Sequence, residues 1–206
     1  ERTAVPDFAA ALAHVGGAPT VATSSIRRIA QLAAVLPSGK FVPIRGNVDT
    51  RLRKLDEGSF DAIVLASAGM RRLGLADRIS APIPLEVCVP APGQGIVAIE
   101  TRSDDDRARA ELQSAGDQAA AASLMAERTV VVDLGGGCQL PLGAIAIHAN
   151  GGLTMHGVVA TPDGTRVIRR HVEGPASDPA GLGAKLADEL ARGGATEILE
   201  AVRSAQ

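Results

Sequence analysis

Apolar and polar positions change period along the chain, and the changes mark its elements. Three short runs, Pro19 to Thr23, Phe41 to Ile44 and Phe60 to Ala66, are rich in branched and apolar residues and predict strands. Each precedes a helical pattern. Ile26, Ile29, Ala30, Ala33 and Leu36 recur at helix spacing, with Arg27, Arg28 and Gln31 off that apolar face. A second helix is predicted from Val48, with Leu52 and Leu55 inward and Gly58 as its stop, and a third starts at Met70 after Ala68 and Gly69. Strands alternating with helices predict βαβ units and a parallel sheet. A short helix over Phe8 to Ala13, capped by Asp7, comes before them.

The pattern loosens after residue 80 and then returns with period two. Pro84 to Val89 and Ile96 to Glu100 predict two strands either side of the turn Pro90-Ala91-Pro92-Gly93-Gln94-Gly95. Ser103 to Ala115 predicts a charged helix, and the acidic triplet Asp104 to Asp106 reads as its solvated start. A longer helix is predicted from Asp117 to Leu134, stopped by Gly135-Gly136-Gly137. Leu142 to His148, Leu153 to Thr161 and Val167 to Val172 then alternate, joined by Asn150-Gly151-Gly152 and Pro162-Asp163-Gly164, and predict an antiparallel meander. Helical patterns over Leu182 to Leu190 and Thr196 to Val202 complete a small α+β unit.

Composition narrows the function classes. The chain has 206 residues, 46% of them hydrophobic, enough for one large or two small cores. It has no bilayer-length apolar run and no signal-peptide pattern, so a cytoplasmic protein without a membrane role is expected. Its two cysteines, Cys88 and Cys138, are expected to be free thiols, with Cys88, between two valines, a buried core residue. Phe8, Phe41 and Phe60 are the only aromatic residues and the net charge is −2, which together argue against a nucleic-acid partner. His148, His156 and His171 have no cysteine or carboxylate at ligand spacing, so no metal is expected. Without heptads or a long apolar strip, a monomer is expected.

Charge then supplies the chemistry. Basic residues, nearly all arginine, outnumber acidic ones up to residue 90, and the balance reverses afterwards. Ser24 or Ser25 can cap the first βαβ helix, and Ser25, Arg27, Arg28, Arg45, Arg51 and Arg72 all fall at the carboxyl ends of the predicted strands or in the turns after them. Helix N-termini and guanidinium forks converging on one crevice predict a polyanionic ligand bearing carboxylates or phosphates. Neither a Walker-type loop nor a dinucleotide-binding glycine pattern is present. Downstream, Cys138 follows three glycines, where the backbone can turn freely and a ligand can reach the thiol.

Six stretches, in order, resemble the hydroxymethylbilane synthase (porphobilinogen deaminase) family. They are Thr23-Ser24-Ser25-Ile26-Arg27-Arg28, Arg45 to Leu52, Asp61 to Ala66, Arg72-Leu73-Gly74-Leu75, Pro90 to Gly95, and Gly136 to Ala144. The resemblance implies a transferase of heme and other tetrapyrrole biosynthesis that joins porphobilinogen units with loss of ammonia on a covalent dipyrromethane primer. It implies that Cys138 attaches the primer, that Ser25, Arg27 and Arg28 hold its carboxylates, and that Arg45, Arg51, Arg72 and Gln94 serve substrate and growing chain. It also implies a periplasmic-binding-protein-like doubly wound domain over 1–89, a returning segment of a split domain over 90–116, and a C-terminal α+β domain with a three-stranded antiparallel sheet over 117–206. The family's catalytic aspartate matches no stretch of this sequence, so that part of the first domain is expected to lie outside it. The alternative is a non-catalytic carboxylate-binding module or an inactive fragment of that enzyme.

Overall fold

The computed structural model describes residues 7–137, 139–149 and 151–205. Cys138, expected to carry the primer, and Asn150, in an expected turn, lie outside the described residues.

The amino-terminal unit runs α1 (Phe8–Val15), β1 (Thr20–Ala22), α2 (Ile26–Ala33), β2 (Lys40–Val42), α3 (Val48–Asp56), β3 (Ala62–Ile63) and α4 (Ser67–Arg72). Asp7 caps α1 as expected, accepting from the Ala10 N–H. The three strands form a parallel sheet in the order β2-β1-β3, with Val21 opposite both Phe41 and Ala62. β1 is central, so winding goes outward to β2 and then returns across β1 to β3. In such a sheet the strand order reverses beside β1, and ligand crevices open at the carboxyl ends there.

β3 is much shorter than its apolar run suggests. Asp61 ends the ladder early, its carboxylate accepting from the Thr20 N–H at 2.7 Å while its own N–H reaches Thr20 O. Val64 N–H still reaches Ala22 O, and beyond it the chain turns into α4, which starts three residues before the expected Met70.

Residues 79–105 form no strand, contrary to both expectations there. Pro84 to Cys88 closes into a turn, with the Val87 and Cys88 N–H groups both donating to Pro84 O. Ile96 to Glu100 has no ladder partner among the described residues, leaving Val97 and Ile99 64% and 61% exposed. Alternating apolar residues give a strand only where a neighbour takes the backbone groups. The charged helix is likewise shorter than expected: α5 (Asp106–Leu112), capped by Asp105, followed by a 3₁₀ turn over Gln113–Ala115.

The carboxyl-terminal unit follows the sequence pattern closely. α6 (Gln118–Asp133), capped by Asp117, leads to the antiparallel sheet β4 (Leu142–Ala149), β5 (Gly152–Ala160) and β6 (Val167–Pro175), then α7 (Pro179–Arg192) and α8 (Ala195–Ser204). One sheet face alternates inward as Leu142, Ala144 and Ala146 on β4, Leu153, Met155 and Val159 on β5, and Ile168 and Val172 on β6. These residues pack with Val130 of α6, Leu182, Leu186 and Leu190 of α7, and Ile198, Leu199 and Val202 of α8. Burying each large aliphatic side chain contributes about 1.5–3 kcal/mol, so this is where most of the unit's stability arises.

The two units meet across the Val87–Gln94 strap. A Cβ on Gly143 of β4 would lie 2.8 Å from Val89 O, so only glycine allows the strap this close to the sheet. At the β5–β6 turn, Gly164 (φ +72°) lies against the end of α2, where a Cβ would sit 2.5 Å from the Ala34 nitrogen. No helix among the described residues is long and apolar enough to cross a membrane.

Candidate functional site

At the carboxyl end of β1 the chain enters Thr23, Ser24 and Ser25 and then α2. Ser25 is the cap, its hydroxyl accepting from the Arg28 N–H at 3.4 Å. Ser24 does different work: its hydroxyl donates to Ile44 O at 2.8 Å and accepts from Ile44 N–H at 3.0 Å, acting as a ladder partner for the end of β2. That bond brings the residue after Ile44, Arg45, alongside the start of α2. Asn47 then caps α3, and Arg51, one turn in, folds back so that its Nε donates to Gly46 O at 2.7 Å.

Arg27 and Gln31, which lie off the apolar face of α2, are nevertheless buried, Arg27 being 6% exposed. The polar stripe of α2 is covered by the strap. Arg27 donates through Nη1 to Val89 O at 2.6 Å and through Nη2 to Gln94 Oε1 at 3.0 Å. Gln31 Oε1 accepts from Val89 N–H at 2.8 Å, and its Nε2 donates to Val89 O at 3.1 Å. From the other unit, Arg169 of β6 donates to Val87 O at 2.7 Å and to Gln31 Oε1 at 3.3 Å. Arg28, half-buried, donates through Nη1 to Val64 O at 2.8 Å, just past the carboxyl end of β3.

Arg27 and Arg28 have no carboxylate partner among the described residues. Burial depresses the pKa of both, and the neighbouring charges of Arg28 on Arg27 and of Arg51 on Arg28 add to this. Burying cations without counter-ions is costly, and backbone carbonyls offset it only in part. An anion arriving beside Arg28 would relieve that cost. Arg45 and Arg72 are exposed and make no hydrogen bond or ion pair among the described residues. Ser25, Arg28 and Arg51 therefore meet at the switch point, with Arg27 and Gln94 bonded to each other behind them, Arg45 follows the Ile44 held by Ser24, and Arg72, at the last residue of α4, is linked to none of the others by a bond among the described residues.

Cys88 is not the apolar core thiol expected from its valine neighbours. It is partly exposed, with its sulfur 3.9 Å from Arg27 Nη1. Burial pushes its pKa up, and the charges of Arg27, Arg28 and Arg169 pull it back only in part. The Gly135–Gly137 segment before Cys138 is pinned from α8, where Arg203 Nη2 donates to Leu134 O at 2.7 Å and Gly135 O at 2.6 Å.

Three residues of this junction carry no sequence motif. Gln31 lies one turn after Arg27 on the same stripe, a spacing that could have signalled a shared polar face. Arg169 and Glu127 lie in regular elements and come to the junction only through the fold.

The chain thus joins a parallel α/β sheet, with arginines at its switch point, to an antiparallel α+β unit. Residues 4–110 match the family described as porphobilinogen deaminase, dipyromethane cofactor binding domain, and residues 121–192 match porphobilinogen deaminase, C-terminal domain. The chain belongs to the porphobilinogen deaminase family. It is 50% identical over 182 residues to the porphobilinogen deaminase of Thiobacillus denitrificans, covering 88% of this chain and 60% of that one. It is 48% identical over 182 residues to that of Desulforudis audaxviator, covering 88% and 59%. For the protein of a Roseiflexus species the figures are 47% over 188 residues, 91% and 62%. The chain thus spans about three-fifths of the length of these relatives.

Proposed function

We propose that this chain is the cofactor-bearing portion of a transferase that joins porphobilinogen units, with loss of ammonia, into hydroxymethylbilane. The observation that carries the reading is the pair Arg27 and Arg28, desolvated at the switch point with no carboxylate among the described residues to neutralise them. Every pyrrole of the substrate and primer bears an acetate and a propionate, so a binding crevice must supply cations in number. Dipyrromethane, when bound, supplies the pyrrole end onto which new units are added.

The chain's own residues have separable tasks in this reading. Cys138 holds the primer by a thioether from a glycine-flanked loop, which makes each addition effectively intramolecular. Ser25 and Arg28 face the primer's carboxylates from the start of α2, where the helix N-terminus adds its partial positive charge. Arg27 supports them from behind, since its Nη groups are already committed to Val89 and Gln94. Arg45, Arg51 and Arg72 offer forks to substrate and growing chain. Cys88, a protonated thiol at neutral pH, takes no covalent role.

The same reading divides the chain at 89 and 116. Residues 1–89 form a periplasmic-binding-protein-like domain, 90–116 return through a second domain, and 117–206 form the domain bearing the cofactor cysteine. The β2-β1-β3 order and the unpaired run Ile96 to Glu100 support that division. The protein acts as a cytoplasmic monomer.

Incubation of the full-length protein, including the first-domain segment expected to carry the family's catalytic aspartate, with porphobilinogen tests the activity. Ammonia release is expected, and Arg28→Leu is expected to reduce it about tenfold or more, the cost of one lost charge-assisted bond. Porphobilinogen binding without ammonia would favour the non-catalytic module.

A further inference from the structure

The arginine site is built on a strap, and one buried carboxylate from the other unit holds that strap in place. Glu127 lies on α6 and is 4% exposed. It has no cationic partner among the described residues. Its Oε1 accepts from the Ala146 N–H of β4 at 2.8 Å, and its Oε2 accepts from the Gly93 N–H of the strap at 2.5 Å. β4 is an edge strand, and its free N–H groups point towards the strap. Ala144 N–H goes directly to Pro90 O at 3.1 Å. Two residues on, the strap has turned, and the Glu127 carboxylate fills the gap between Ala146 and Gly93. Gly93 has φ +74°, a conformation that brings its N–H round to the carboxylate.

The next residue connects this anchor to the site. Gln94 Oε1 accepts from Ala91 N–H at 3.3 Å and from Arg27 Nη2 at 3.0 Å. Arg27 therefore grips the strap at Val89 and Gln94, while Glu127 and β4 hold the strap from the opposite side. We propose that Glu127 is a positioning residue for the anion site, fixing Gly93 and thereby the Gln94 carbonyl that orients the Arg27 guanidinium. The proposal rests on the reading of Arg28 as the ligand-facing cation with Arg27 supporting it from behind, and it assigns part of the site's geometry to the carboxyl-terminal unit.

Glutamine is the informative substitution because it keeps the shape and only one acceptor oxygen. Its NH₂ must then face either the Gly93 or the Ala146 N–H, donor against donor, and one of the two bonds is lost.

The guanidinium of Arg27 can be followed by side-chain NMR, assigned with Arg27→Lys. In the wild-type chain its Nη groups, each tied to a fixed acceptor, should give distinct resonances, unlike those of exposed Arg45. Glu127→Gln should average the Arg27 signals and speed Gly93 amide exchange. Gln94→Ala should average the same signals, and the double variant should go no further. Should Glu127→Gln fail to fold, Glu127→Asp, too short to span both donors, is expected to act in the same direction. Distinct Arg27 signals in Glu127→Gln, or in Gln94→Ala, would overturn the proposal. Titration with porphobilinogen forms the second arm. Its affinity should fall about threefold to tenfold in Glu127→Gln, as for one weakened hydrogen bond. If wild type binds no porphobilinogen, the functional reading fails, and the NMR result still decides the role of Glu127.

Discussion

Arg27 and Arg28 are neighbours in sequence and differ in use. Both are visible in the sequence as cations at a helix start, and the pattern alone treats them alike. The fold separates them: Arg27 is spent on Val89 and Gln94, while the Arg28 guanidinium makes one bond among the described residues, to Val64. Glu127 was not legible, because a carboxylate in mid-helix looks like any solvated charge until another element covers it. Its burial leads to a pH prediction. Desolvation raises the Glu127 pKa, and the Gly93 and Ala146 bonds offset this only in part. The folded state therefore holds this proton more tightly than the unfolded state does. The stability this confers is present below the ordinary value of 4.5 and is lost as pH rises through the raised folded value. Urea unfolding of wild type and Glu127→Gln should show the difference moving in favour of the glutamine variant as pH rises to neutrality. A difference independent of pH would contradict this.

At the scale of elements, local signals succeed where the ladder partner is near in sequence. The β4–β5–β6 meander and its helices follow their periodicity almost residue for residue, since each strand pairs with the next one along the chain. The 84–89 and 96–100 runs are apolar in the same way but have no strand partner among the described residues, and neither becomes a strand. Periodicity reports which face a residue would take, not whether a partner exists. The contact between Gly164 and α2 is equally silent in sequence, where Pro162-Asp163-Gly164 reads only as a turn. Gly164→Ala should cost more than the roughly 1 kcal/mol of an ordinary glycine substitution, because it adds both a strained φ and a clash with the Ala34 backbone. Thermal unfolding, with Gly151→Ala as a turn control at φ +78° and no neighbour within 4 Å, separates the two contributions. Equal losses would show that the α2 contact contributes nothing.

At the scale of the molecule, the two units share one site. The amino-terminal unit supplies Arg27 and Arg28, and the carboxyl-terminal unit supplies the strap's anchors, Glu127 and Arg169. The family resemblance was readable from six motifs, whereas this dependence of one unit on the other was not, because it runs through backbone groups that any residue could present. In the proposed function the arginine site serves a primer tethered at Cys138. Intact-mass and peptide-mapping mass spectrometry of the purified chain, after incubation with porphobilinogen, tests it most directly. A dipyrromethane-sized adduct confined to the peptide containing Cys138, and lost in Cys138→Ala, is the result expected. An unmodified Cys138, or an adduct on Cys88 instead, would contradict it.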